Sequence, residues 1–310
     1  MKVLVPLDDS SYSEAALTSI GARHWPARTE ILLYSVVNDY DKLGKILAAP
    51  DEQKLRRLKE EQEREVICML QRKCDGLRRS LPEVTISSAV GYGHPATQIV
   101  ETAHRWRAQL IIMGSHGRRN VQLYALGSVT AQVIEKTPCS MEVIRLLNRS
   151  GKAWHDQRRI IVCYDGSDHS RAALDWVAHS AWAPHQEFAL VSVLNTIEDK
   201  IGALQIFHQK KANELKAQAI AAAQGALDSH VERLREMMPN NAIIGHVLEG
   251  YAAESILELA EDFLADLIVI GAHNEQLHID SAIGSVAKRI ACFSRCCVKV
   301  VRAHEMSRIH

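Results

Sequence analysis

The chain is 310 residues long, about twice the size of an ordinary domain, and its 47% apolar and 24% charged residues support buried cores and exclude a disordered or fibrous protein. Lysine plus arginine and aspartate plus glutamate number 37 each, so no net charge advertises nucleic acid or an anionic membrane as a partner, and any anion site has to be local. The start MKVLVPLDDS lacks an apolar leader, and no run approaches the roughly 20 apolar residues that span a bilayer, which points to a cytoplasmic protein.

Taken from the N-terminus, Val3 to Leu7 is a short apolar run that reads as a first strand. A helical pattern follows from Ser11 to about Arg23, with Ala15, Ala16 and Ile20 turned inward. Ile31 to Val37 is a second strand. The charged stretch from about Asp51 to Arg79 reads as a surface helix with i, i+4 pairs. Val84 to Val90 is a third strand, and Ile99, Val100, Ala103 and Trp106 then recur at helical spacing. Leu110 to Met113 is uninterrupted apolar sequence, the mark of a strand covered on both faces. A helix opens after Gly127, and Glu142 to Arg145 is a fifth strand. This alternation implies an α/β fold with a doubly wound, Rossmann-like parallel sheet and right-handed crossovers. Ligands of such sheets sit at the carboxyl ends of strands where the strand order switches.

The second half repeats the first at a constant offset of 157 residues. Asp8 pairs with Asp165, Ser10 with Ser167, Trp25 with Trp182, Gly93 with Gly250, Gly114 with Gly271, His116 with His273, Gly127-Ser128 with Gly284-Ser285 and Cys139 with Cys296. One offset from first strand to last makes each copy a whole fold. The polar stretch Asn148 to Gln157 reads as the linker, giving tandem domains at 1–147 and 158–303. Seven scattered cysteines, an odd number without paired metal-ligand spacing, read as reduced thiols used in packing.

The segment from Leu110 to Val129 reads as strand, glycine turn, loop and helix start. Gly114 and Gly117 free the backbone to take positive φ and leave no Cβ in the way, so that successive N–H groups can converge on an anion. Gly127-Ser128 opens a helix whose N-terminal amides and dipole suit a phosphate, with the Ser128 hydroxyl as a further donor. Gly114, Gly117, Gly127 and Ser128 match G-x-x-G, nine residues, G-S/T, the signature of the ATP-binding branch of the universal stress protein family, which this chain resembles once per copy. The resemblance implies a tandem, cytoplasmic, stress-response protein that binds ATP or AMP, with or without a divalent cation. It implies that Asp8 hydrogen-bonds the adenine, that Val36 or Val37 lies against the base, that Gly114 approaches the ribose, and that Gly117, Gly127 and Ser128 hold the phosphates. A carboxylate at Asp8 also makes chemical sense, because it accepts from the exocyclic amine of adenine, which guanine lacks at that position. Arg118 and Arg119 follow the turn and either screen phosphate charge or lie solvated. Asp8 and Ser10 are equally suited to cap the first helix, and the glycines to plain turns. His116 reads as structural. Gly91-Tyr-Gly-His-Pro-Ala96 imitates a dinucleotide fingerprint, but it follows the wrong strand and its copy-two position begins with Leu248.

In copy two the corresponding residues are Asp165, Gly271, Gly284 and Ser285, with Asn274 in place of Gly117. The nine residues before Gly284 carry two acids and no lysine or arginine, whereas those before Gly127 carry two arginines and no acid. One competent nucleotide site, in copy one, and a degenerate copy are therefore expected. No general base or nucleophile is evident, so a non-enzymatic binding protein is favoured; the alternatives are a weak metal-dependent ATPase and a module for a non-nucleotide small ligand. By the same resemblance the two copies would pair through their last strands, Met141 to Arg145 with Val298 to Arg302, and whole chains could pair further as homodimers.

Overall fold

A computed structural model of the chain describes residues 1–37, 52–117, 126–146, 159–194, 205–272 and 283–303. These fall into two compact units, the first from Met1 to Leu146 and the second taking in the described residues from 159 to 303. The first unit runs β1 (Lys2–Pro6), α1 (Ser11–Gly21), β2 (Glu30–Val37), α2 (Glu52–Ser80), β3 (Thr85–Tyr92), α3 (Pro95–Trp106), β4 (Leu110–Gly114), α4 (Ser128–Lys136) and β5 (Ser140–Ile144). The second repeats the order with β6 (Arg159–Cys163), α5 (Asp168–His179), β7 (Glu187–Leu194), α6 (Gln205–Met237), β8 (Ala242–Glu249), α7 (Ala252–Asp262), β9 (Leu267–Gly271), α8 (Ser285–Phe293) and β10 (Cys297–Val301). The alternation read from the sequence is thus present in both units.

Within the first unit the strands lie in the order β3-β2-β1-β4-β5, and within the second β8-β7-β6-β9-β10. All these ladders are parallel. The offset of the sequence repeat survives in the pairing register. Lys2 faces Glu30 as Arg159 faces Glu187, and Val3 faces Leu110 as Ile160 faces Leu267. Leu110 faces Ser140 as Leu267 faces Cys297. Every residue of β4 and β5 is buried, as continuous apolar runs with helices on both faces require. Helix α1 packs on β4 and β5, α2 on β2 and β3, and α3 against α4. Right-handed crossovers put α1 and α2 on one face and α3 and α4 on the other. Chain order reverses direction between β1 and β4, so the carboxyl ends of these two strands frame the crevice of the fold.

Two local expectations change. In α1 the inward residues are Ser13, Ala16, Leu17, Ser19 and Ile20, while Ala15 is only half-buried, because the helix presents the Ser13-Ala16-Leu17-Ile20 stripe to the sheet. Helix α2 is more than a solvated surface helix. It buries Met69, Leu70, Cys74 and Leu77, and Lys73 pairs with Glu14 on α1. The cysteines are free thiols. Five are buried, Cys292 is half-buried and Cys68 is exposed. Desolvation raises the Cys74 thiol above its ordinary pKa. It raises Cys163 further, with the Asp165 carboxylate adding to the effect.

Candidate functional site

The crevice is built from the turn that leaves β1. Asp9 takes a left-handed conformation (φ 60°), which swings the chain from the strand into α1. Ser10 is the N-cap, its hydroxyl accepting from the Ser13 amide at 3.2 Å. The capping role open to both residues therefore falls to Ser10, and Asp8 stands behind it. The Asp8 Oδ1 accepts from Ser10 Oγ and Ser13 Oγ, each at 2.6 Å, and from the Ser10 amide at 3.3 Å. In return the Asp8 amide donates to Ser13 Oγ at 3.1 Å. The carboxylate is half-buried and held by three donors on the first turn of α1.

The second wall comes from β4. Gly114 ends that strand, and Ser115, His116 and Gly117 lead out of it. The Ser115 amide donates to the Ile144 carbonyl at 2.9 Å, and the Ser115 carbonyl accepts from the Gly127 amide at 2.8 Å, which ties the start of α4 back onto the end of β4. Thr130 Oγ1 donates to the Gly114 carbonyl at 3.0 Å from the first turn of the same helix. His116 is buried, its Nδ1 lies 3.1 Å from Ser115 Oγ, and its ring sits 5.1 Å from that of Tyr12. The amides of Ser128, Val129 and Thr130 open α4 and have no partner within the helix, as at any helix start.

The glycines behave differently from the sequence expectation. Neither Gly114 nor Gly117 takes a positive φ; each is glycine because another group comes too close for a Cβ. A Cβ on Gly114 would stand 2.6 Å from Tyr12 Cβ and 2.8 Å from its carbonyl, so α1 can pack on β4 only over a bare backbone. A Cβ on Gly117 would meet Asp8 Oδ2 at 2.4 Å. A Cβ on Gly127 would lie 3.1 Å from His116 Cα. The Gly127 amide, expected to face an anion, is engaged by Ser115. Gly91 of the false fingerprint is explained by a Cβ position 1.9 Å from the Tyr34 hydroxyl.

Of the residues singled out, Asp8, Gly114, Gly117, Gly127 and Ser128 converge at the carboxyl ends of β1 and β4. Val36 and Val37 end β2 beside β1, just past its last rung, Pro6 with Tyr34. Arg118 and Arg119 lie outside the described residues, as do Asn274 and nearly all of the two loops compared by charge. Tyr12, Ser13 and Thr130 belong to the same arrangement; Tyr12 and Thr130 carried no sequence signal because each acts across a fold contact, and Ser13 was visible as a repeated serine without a role. Among the described residues no group of three metal-ligating side chains occurs, and no helix is long and apolar enough to cross a membrane.

The second unit keeps the frame. The Ala272 amide donates to the Val301 carbonyl, the Gly284 amide to Ala272, and Gly271 packs against the His169 and Ser170 backbone at 2.6–2.7 Å from a Cβ position. Gly284 caps α8, and Ser285, its first residue, is exposed as Ser128 is. The acid differs. Asp165 is exposed and accepts from the Ser167 amide at 3.0 Å, while the Ser170 hydroxyl donates to the Ser167 carbonyl.

The universal stress protein family model matches the chain twice, at residues 1–145 and 157–302. A universal stress protein of Methanocaldococcus jannaschii is 29% identical over 158 residues, covering 47% of this chain and 96% of that one. Another, from Mycobacterium tuberculosis, is 34% identical over 91 residues, 29% of this chain and 27% of that one, so the match spans about a quarter of that relative. Among solved structures, a universal stress protein from Archaeoglobus fulgidus covers 97% of this chain and 98% of its own, with a TM-score of 0.60 and 18% identity, a likeness of fold.

Proposed function

The chain belongs to the universal stress protein family as a tandem member, and from that premise we propose that its first unit, residues 1–147, binds ATP or AMP as a signal that sets conformation or partner affinity in a cytoplasmic stress response. Asp8 receives the exocyclic amine of adenine, Val36 and Val37 lie against the base, Gly114 borders the ribose, and Gly117, Gly127, Ser128 and Arg118 face the phosphates, with a divalent cation admitted beside them. The observation that carries this reading is the meeting of Asp8 with the Gly114–Gly117 turn and the start of α4 at the point where chain order reverses between β1 and β4. A held carboxylate suits an amine, and unpaired helix amides suit phosphate.

The reading is of a binding protein without turnover. His116, on the glycine turn itself, is buried against Tyr12 and Ser115. In the second unit, residues 158–303, Asp165, Gly271, Gly284 and Ser285 keep the outline of the site, but the exposed acid is not gripped as Asp8 is.

Mass spectrometry of small molecules released from purified, denatured protein tests the ligand class directly. Adenine nucleotide at up to about one equivalent per chain is expected; a different small molecule would replace the reading. Phosphate release with magnesium or manganese, lost in Gly127→Ala, would turn it into a hydrolytic one.

A further inference from the structure

The closeness of Gly117 to Asp8 points to a role for this glycine in addition to facing the phosphates. Resting on the nucleotide reading above, we infer that Gly117 is a positioning residue for base recognition, keeping the Asp8 carboxylate in the orientation that reads the exocyclic amine of adenine. Asp8 Oδ1 is fixed by Ser10 Oγ, Ser13 Oγ and the Ser10 amide. The remaining oxygen, Oδ2, is the atom that a Cβ at position 117 would strike, at 2.4 Å. A side chain end can usually swing away from such an intrusion. Here it is pinned through its other oxygen, so a methyl group at 117 either breaks the serine contacts or rotates the carboxylate. Gly117 does not use positive φ, and among the described residues the atoms that an alanine methyl would meet there are those of the Asp8 carboxylate. The second copy departs at both halves of the arrangement. Position 274 is Asn where the first copy has Gly117, and the Asp165 carboxylate lacks the paired serine hydroxyls, Ser170 Oγ donating to a backbone carbonyl instead. Copy two thereby loses discrimination at the base, whatever its phosphate contacts.

The test is calorimetric titration of the full chain and of Gly117→Ala, Asp8→Ala and the double variant with adenosine, ATP and GTP. A base-positioning role gives matched losses for adenosine and ATP, about tenfold or more, and a collapse of the preference for ATP over GTP. It also gives strong coupling, with Gly117→Ala costing nothing further once Asp8 is alanine. Ser13→Ala, which removes one grip on Oδ1, is expected to weaken adenosine and ATP alike and serves if Gly117→Ala does not fold. Loss of ATP with adenosine unchanged, or additive losses in the double variant, overturns the inference while leaving nucleotide binding intact. No binding of any adenine ligand by the unaltered chain overturns the nucleotide reading itself.

Discussion

A methyl group added at position 114, 117 or 127 meets a different obstacle each time: the backbone of Tyr12, the carboxylate of Asp8, or the backbone of His116. Local sequence placed Gly114 and Gly117 on one turn and Gly127 at a helix start but could not assign their neighbours, because two of the three come from residues over 100 positions away. Gly91 shows the same limit. Its neighbour is the Tyr34 hydroxyl, and the second copy swaps both partners, Val191 with Leu248. Gly91→Leu alone should destabilise by about 2–3 kcal/mol through overpacking. With Tyr34→Val the cost should fall well below the sum of the single changes, by about 1–3 kcal/mol of coupling in urea denaturation. The last strands differ in charge at one position. Glu142 on β5 is fully buried and takes a two-pronged contact from Arg23 at 2.7 and 2.8 Å, whereas Lys299 on β10 is buried with its ammonium 4.3 Å from the Trp176 ring. Removing Arg23 takes that two-pronged contact away from a carboxylate that stays buried. Arg23→Met is expected to lower stability by about 3 kcal/mol, read by the urea midpoint at unchanged m-value.

At the scale of elements, hydrophobic runs and periodicity carried most of the fold. β4 and β1 were legible because strands buried on both faces must be apolar throughout, and observed boundaries lie within a few residues of those read from Val3–Leu7 and Leu110–Met113. The turns were less legible. Asp9, Arg28, Arg107, His185 and Leu264 take left-handed φ without being glycine, and for Arg28, Arg107 and Leu264 no residue preference announces that. The helix starts could be read, since Ser10 and Ser167 cap α1 and α5 in the same way, through the Ser13 and Ser170 amides. What ties a long helix to the crevice could not. In the second unit Tyr164, leaving β6, lies 2.9 Å through its hydroxyl from His230 Nε2 on α6. Burial, then the Arg233 charge, holds His230 below its ordinary pKa of 6.5, with Asp175 opposing and Arg171 assisting. The unfolded chain therefore takes up this proton first as pH falls. The contribution is whole above pH 6.5 and is lost as pH drops from there toward the lower folded value. Thermal unfolding scanned across that window should fall less steeply with acidification in His230→Gln than in the unaltered chain; equal slopes would assign the acid sensitivity to other groups.

Across the whole molecule, the repeat is more than a likeness of sequence. Ladder registers and left-handed positions recur at the same spacing: Arg28 with His185, Arg107 with Leu264, Gly93 with Gly250, and Asp9 with Gly166. The frame of the crevice recurs too, down to the amide of Gly127 or Gly284 closing onto the end of the fourth strand of its unit. At the crevice the divergence falls on what sits on that frame, chiefly the gripped Asp8 against the exposed Asp165 and the glycine at 117 against asparagine at 274. The asymmetry was legible in the glycine pattern, while its physical basis, the serine hold on one carboxylate only, required the fold. Isothermal titration of ATP into the full chain tests the asymmetry most directly. About one ATP per chain is expected, weakened by Asp8→Ala about tenfold or more and unchanged by Asp165→Ala; two sites of equal affinity, or a single site weakened by loss of Asp165 and untouched by loss of Asp8, would contradict it.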